Sequence, residues 1–220
     1  MPKTFPTPKL VILDCDGVLV DSEPVSNQAM AKNLTLRGLP LTAEQSMAHF
    51  VGCTMAGVMQ QARSMGADLP DNWIEEIYAE IFARLRQGVP LMQGIPALLA
   101  RLDAHGIPVC VASNGSEEKM RITLGQNGLW ERFHPHAMFS AHALGVAKPE
   151  PGLFLAAASH FGVQARDSLV IEDSGSGVTA AVRAGMRCLG YAPKGGGRAL
   201  AALGAEVFSD MAEVPALLSI

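Results

Sequence analysis

The chain has 220 residues, of which 49% are hydrophobic and 17% charged, and its formal net charge is −4. Such a length holds one large domain, or one domain with a smaller insertion, and the composition excludes a disordered chain. The weak acidic excess leaves no basic footprint for nucleic acid or an anionic membrane.

In chain order, the opening MPKTFPTPK lacks the apolar core of a secretory signal. LVIL (10–13) reads as a buried strand that runs straight into Asp14 and Asp16. Residues 23–87 then show helical spacing and no convincing strand, in segments 25–37, 43–49, 55–65 and 73–86. A helical block of this size between strands is an inserted subdomain rather than a loop. Gly17 on one side and GVPLMQG (88–94) on the other are its connections.

Beyond it, helical spacing at 95–105, 117–127, 151–161 and 176–184 alternates with the apolar runs VCVA (109–112), SLVI (168–171), CLGY (188–191) and EVF (206–208). Strands alternating with helices predict an α/β fold, a parallel sheet covered on both faces. The expected division is therefore a catalytic core of 1–22 and 88–220 and a helical cap of 23–87. Cys15, Cys53, Cys110 and Cys188 form no CxxC pair, which fits reduced thiols rather than a disulfide framework. No uncharged apolar run reaches bilayer-spanning length, so a cytoplasmic protein without a membrane or nucleic-acid partner is expected. No heptad pattern sets an oligomeric state, and a monomer is compatible with the sequence.

The chemistry concentrates at the ends of the expected strands, where open α/β sheets bind ligands. Asp14 and Asp16 flank Cys15 in extended backbone, so both point roughly one way and Cys15 the other. Two adjacent carboxylates repel unless a cation intervenes, and an oxygen-rich site suits Mg²⁺. VASNGSEE (111–118) offers the Ser113 hydroxyl, the Asn114 amide and backbone N–H groups near a helix start. GVAKPEP (145–151) holds Lys148 in a proline-rich turn, where a fixed ammonium suits a transferring phosphoryl group. LVIEDSGSG (169–177) repeats the opening design, with Asp173 available to complete a metal shell with Asp14. Glu172 either ligates through water or orients Lys148.

In this order the segments DCDGVLVDSEP, VASNG, KPEP and IEDSGSG resemble the four motifs of the haloacid dehalogenase superfamily. The resemblance spans essentially the whole chain and implies a Rossmann-like core with a helical cap inserted after the first motif. It implies Asp14 as nucleophile, Asp16 as general acid and base, and Mg²⁺ held by Asp14, the Asp16 carbonyl and Asp173. Ser113, Lys148 and, through its backbone, Asn114 would hold the phosphoryl oxygens of a small phosphorylated substrate. Asp16 argues against a dehalogenase, which has no alkoxide to protonate. The phosphomutases of the superfamily carry a His and a Trp in the first cap helix, where Ser26 and Met30 stand here, and basic residues near a cap glycine. The loop HFVGCTMAG (49–57) has no Lys or Arg. The pattern VASNG…KM…FS…KP is closest to bacterial sugar-phosphate phosphatases, including the 6-phosphogluconate type. A phosphatase is thus expected, with a phosphomutase or a non-catalytic phosphate-binding module as alternatives.

Overall fold

The computed structural model describes residues 6–50 and 53–220. The chain divides into two compact units, one of Met1–Val20 with Leu91–Ile220 and one of Asp21–Pro90.

The first unit is built on six parallel strands: β1 (Leu10–Leu13), β2 (Val109–Ser113), β3 (Met138–Ser140), β4 (Ser168–Glu172), β5 (Arg187–Tyr191) and β6 (Glu206–Phe208). Their order is β3-β2-β1-β4-β5-β6. The chain walks outward from β1 to β3, then returns to lay β4 on the other side of β1. The loops after β1 and β4 therefore diverge, which opens a crevice at the carboxyl ends of these strands. All four residues of β1 are fully buried, so both faces of the sheet are covered. One face packs Leu10, Ile12, Cys110, Ala112, Val170 and Cys188 against apolar side chains of the helices that follow β3 and β4.

The second unit holds four helices, α1 (Glu23–Leu36), α2 (Ala43–Phe50), α3 (Met55–Ser64) and α4 (Trp73–Leu85). Trp73, Ile77, Ile81 and Leu85 recur every four residues on α4 and are all buried, the stripe of a helix with one core face. Thr42 and Gln45 cap α2 reciprocally, with the Thr42 N–H donating to Gln45 Oε1 at 2.9 Å and the Gln45 N–H to Thr42 Oγ1 at 3.2 Å. A polar relay ties α1 to α4: Trp73 Nε1 donates to Asn33 Oδ1 at 2.7 Å, and Asn33 Nδ2 donates to Glu80 Oε1 at 2.9 Å. Met30 is buried in this unit, and the Ser26 hydroxyl bonds back to the Ser22 carbonyl. Val51 and Gly52, within the loop 49–57, lie outside the described residues.

The remaining helices belong to the first unit: α5 (Ile95–Ala104), α6 (Glu117–Gly125), α7 (Trp130–Phe133), α8 (Ala141–Leu144), α9 (Gly152–His160), α10 (Gly175–Arg183), α11 (Gly197–Ala202) and α12 (Val214–Leu218). The short helices α7, α8, α11 and α12 are not expected from the sequence, and two strands depart from that expectation in ways that bear on the site. β3 is an additional strand, because MFS pairs with β2 although only Ser140 in it is buried. β4 also runs one residue further than its apolar run and takes Glu172 into the sheet, where it is fully buried. No helix among the described residues is long and apolar enough to cross a membrane.

Candidate active site

The crevice at the carboxyl ends of β1, β2 and β4 gathers the residues singled out by sequence. Asp14 follows β1 directly, its N–H donating to the Ile171 carbonyl of β4 at 3.0 Å. That bond fixes the first acid beside the last residues of β4. Lys148 arrives from the loop between α8 and α9, and its side chain is only 2% exposed. Its Nζ bonds Asp14 Oδ1 and, at 2.5 Å, Glu172 Oε1, and it stands 5.0 Å from the centroid of the Phe154 ring. The second Glu172 oxygen accepts from the N–H groups of Asp173 and Ser174, each at 3.0 Å, and from the Ser174 hydroxyl at 2.9 Å. Glu172 is thus a buried carboxylate with both oxygens hydrogen-bonded, one of them to the lysine.

Asp16 is held differently. Its Oδ2 lies 2.8 Å from Nζ of Lys119, on the first turn of α6. Ser116 caps that helix by accepting from the Lys119 N–H at 3.2 Å, so the cap sets the register that brings Lys119 to Asp16. Gly115 lies at the meeting point. A Cβ there would lie 3.2 Å from Ser113 Oγ, and 3.6 Å from both Asp16 Oδ2 and Lys119 Cδ. The Ser113 hydroxyl accepts from the Gly115 N–H at 3.0 Å, and the Gly115 carbonyl accepts from the Ser140 hydroxyl at 2.8 Å. Asn114 does not direct its side chain into open crevice. Its amide bonds the backbone of Lys148 at both ends, with Oδ1 accepting from the Lys148 N–H at 2.9 Å and Nδ2 donating to the Lys148 carbonyl at 3.2 Å.

Burial dominates the protonation of Asp14 and, despite the opposing effect of Lys148, pushes its carboxyl up to about 7. Burial works against charge on Lys148, but Asp14 and Glu172 outweigh it and hold the ammonium above the usual lysine range. At Lys119 burial is again outweighed, here by Asp16, so that lysine also stays charged. Burial lifts the Cys15 thiol between the two acids far above its ordinary value, leaving it an inert packing group.

Carboxylate oxygens of Asp14, Glu172 and Asp173 lie within 4.8 Å of one another. The donor set is all oxygen, which suits a hard divalent cation. The backbone after Asp16 passes close against Asp173. Gly17 takes φ +79°, and a Cβ there would run into the Asp173 carboxylate. Asp14 and Glu172 share the ammonium of Lys148, and Asp173 brings a third carboxyl to the cluster, a concentration of acidic oxygens that a divalent cation would offset. The residues present therefore fit a metal ion.

Residues 11–191 match the family described as haloacid dehalogenase-like hydrolase. The chain belongs to that family. Within it, a 6-phosphogluconate phosphatase of Escherichia coli (strain K12) is 27% identical over 209 residues, covering 94% of this chain and 93% of the relative. A haloacid dehalogenase-like protein of unknown function from Agrobacterium tumefaciens strain C58 superposes with a TM-score of 0.86 at 34% identity, over 96% of this chain and 97% of the other. A family hydrolase from Deinococcus radiodurans R1, solved with bound phosphate and sodium, gives 0.82 at 30% identity, over 98% and 96%.

Sequence reasoning missed Lys119 as the partner of Asp16 and Ser140 as an anchor of the second-motif loop. The signal for Lys119 was present, since a Ser116 cap places the residue three positions on in the first helical turn. His134, His136 and His142 belong to no metal-ligating cluster among the described residues.

Proposed function

We propose that this hydrolase is a Mg²⁺-dependent phosphatase of small phosphorylated metabolites, sugar or sugar-acid phosphates, acting through an aspartyl-phosphate on Asp14. The observation that carries the reading is the pairing of Asp14 with a buried, charged Lys148 next to a carboxylate cluster at the sheet's switch point. Support for the substrate class comes from the E. coli relative, which matches along nearly its whole length.

In this mechanism Lys148 and the Ser113 hydroxyl bind two phosphoryl oxygens and balance their charge. Asp14 attacks phosphorus in line. The bond from an Asp14 oxygen to phosphorus forms as the bond to the leaving oxygen breaks, and Asp16, which enters this step in its protonated form, gives that oxygen its proton. Asp16, now a carboxylate, takes a proton from water as the water oxygen attacks the phosphorus of the aspartyl-phosphate. Phosphate leaves and Asp14 is regenerated. Asp14, Asp173 and the Asp16 carbonyl would hold Mg²⁺, with Glu172 beside them, and the ion would supply positive charge against the transferring group. Residues 23–87 are assigned the part of a cap that selects the substrate and excludes bulk water.

A panel of phosphorylated sugars, sugar acids, phosphoglycolate and nucleotides, assayed for phosphate release with Mg²⁺ and with EDTA, tests the reading. Metal-dependent release from sugar or sugar-acid phosphates is expected. Formation of glucose 6-phosphate from β-glucose 1-phosphate without net phosphate release would assign a mutase instead. Asp14→Asn should abolish both turnover and trapped phosphoenzyme, and near-native turnover in that variant would remove Asp14 as nucleophile.

A further inference from the structure

Lys148 is the residue on which the site converges, yet it sits on a loop between two helices rather than on a strand. Its side chain is fixed by Asp14, Glu172 and the Phe154 ring. Those contacts hold the ammonium only if the backbone beneath it stays put. The next residue, Pro149, has no N–H to contribute. The flanking backbone is tied by the Glu150 N–H to the Ala147 carbonyl and by Arg183 Nη1 to the Pro149 carbonyl, and Lys148 itself by Asn114, 34 residues away in sequence.

The Asn114 amide uses its acceptor on the Lys148 N–H and its donor on the Lys148 carbonyl. Few side chains can do this. An amide carries a donor and an acceptor side by side in one plane, whereas a carboxylate only accepts and a hydroxyl is too short to meet both groups. The clamp is itself anchored. Ser113, the residue before Asn114, ends β2, and the Ser140 hydroxyl at the end of β3 holds the Gly115 carbonyl just beyond. A chain of contacts thus runs from the sheet through Ser140 and Asn114 to the Lys148 backbone.

We infer that Asn114 is a positioning residue, whose side chain acts by clamping the backbone of Lys148 and setting where its ammonium lies, rather than by binding phosphate. The inference rests on the phosphatase reading for what Lys148 does, but the clamp is measurable without it.

Two measurements test it on the full chain. In the first, backbone amide exchange is followed by NMR in wild type and Asn114→Ala. The Lys148 amide should lose protection by at least about tenfold, while amides of β1 and β4 keep theirs. Unchanged protection at Lys148 would overturn the clamp. The second is a kinetic cycle with p-nitrophenyl phosphate at high enzyme concentration, using Asn114→Ala, Lys148→Ala and the double variant. Asn114→Ala should lower kcat by roughly ten- to a hundredfold, the scale expected for an ångström of misplacement. It should add little once Lys148 is already alanine, because the clamp then has no ammonium to place. Fully additive losses would mean that Asn114 meets the substrate directly and would overturn the positioning role. A Lys148→Ala protein with wild-type turnover would defeat the phosphatase mechanism instead, and the amide exchange would still decide the clamp.

Discussion

Asp14 and Asp16 are chemically alike and two positions apart, yet the fold gives them different partners. Asp14 meets a lysine that is itself buried between two acids, and Asp16 meets Lys119 at the partly exposed mouth of α6. A residue that must first give and then take a proton needs a fixed direction as well as a suitable affinity. Lys119→Met should therefore slow hydrolysis of an alkyl phosphate by about tenfold or more. With p-nitrophenyl phosphate, whose leaving group needs little protonation, the loss should be much smaller. Equal losses on both substrates would exclude a role for Lys119 through Asp16. The two aspartates were legible from the sequence because they sit side by side on one strand end. Their lysines were not equally so. Lys148 stands out in a stretch with few charges, whereas the partner of Lys119 lies 103 positions away and only folding brings it near. The cysteines make a simpler test at this scale. Cys15, Cys110 and Cys188 are buried and their thiols are pushed up, that of Cys188 to about 12, while Cys53 is exposed. A thiol reagent at pH 8 should modify Cys53 alone in the native protein and all four cysteines after denaturation.

Elements announced themselves in proportion to the length of their pattern. α4 shows four core residues at regular spacing, and β1 is a continuous apolar run, so both could be read directly. β3 has three residues and one buried side chain, too few for any periodicity, and it exists because β2 offers an edge to pair with. The SGSG segment looked like a glycine-rich helix start, and its packing demand was invisible in sequence. In α10 a Cβ on Gly177 would run into the buried Glu172 carboxylate. Gly177→Ala should consequently be destabilising, by about 1–3 kcal/mol for an overpacked site, although alanine ordinarily favours helix. Because Glu172 holds Lys148, the same variant should also lose turnover. A urea titration paired with kinetics checks both, and a stability equal to or above wild type would show that the carboxylate has room to move. The relay in the helical unit offers a second case. Trp73→Phe keeps the ring's bulk but leaves Asn33 Oδ1 buried without its indole donor, at a cost of about 1–3 kcal/mol in the same titration.

Across the whole molecule, the parallel sheet supplies rigidity while the charges at its carboxyl end oppose folding. β1 and β4 are buried throughout, so the acids at 14, 172 and 173 are brought together by hydrophobic packing that takes no account of their repulsion. Lys148 offsets part of that repulsion by pairing with Asp14 and Glu172. A ligand that binds the folded chain and not the unfolded one must then raise stability by mass action. If Mg²⁺ occupies the cluster, a hundredfold excess over its Kd should contribute about 2.7 kcal/mol. For a chain of this size that corresponds to a rise in Tm of roughly 5–10 °C between EDTA and saturating Mg²⁺. Asp173→Asn should abolish most of the rise, since it removes one acidic oxygen donor from the cluster while the Lys148 pairs stay in place. Ca²⁺ provides a useful contrast. Its larger radius and looser geometry let it stabilise the fold through the same oxygens while supporting less turnover, which would separate filling the site from performing the chemistry. Identical melting curves in EDTA and Mg²⁺ would mean that the cluster holds no metal in the resting protein.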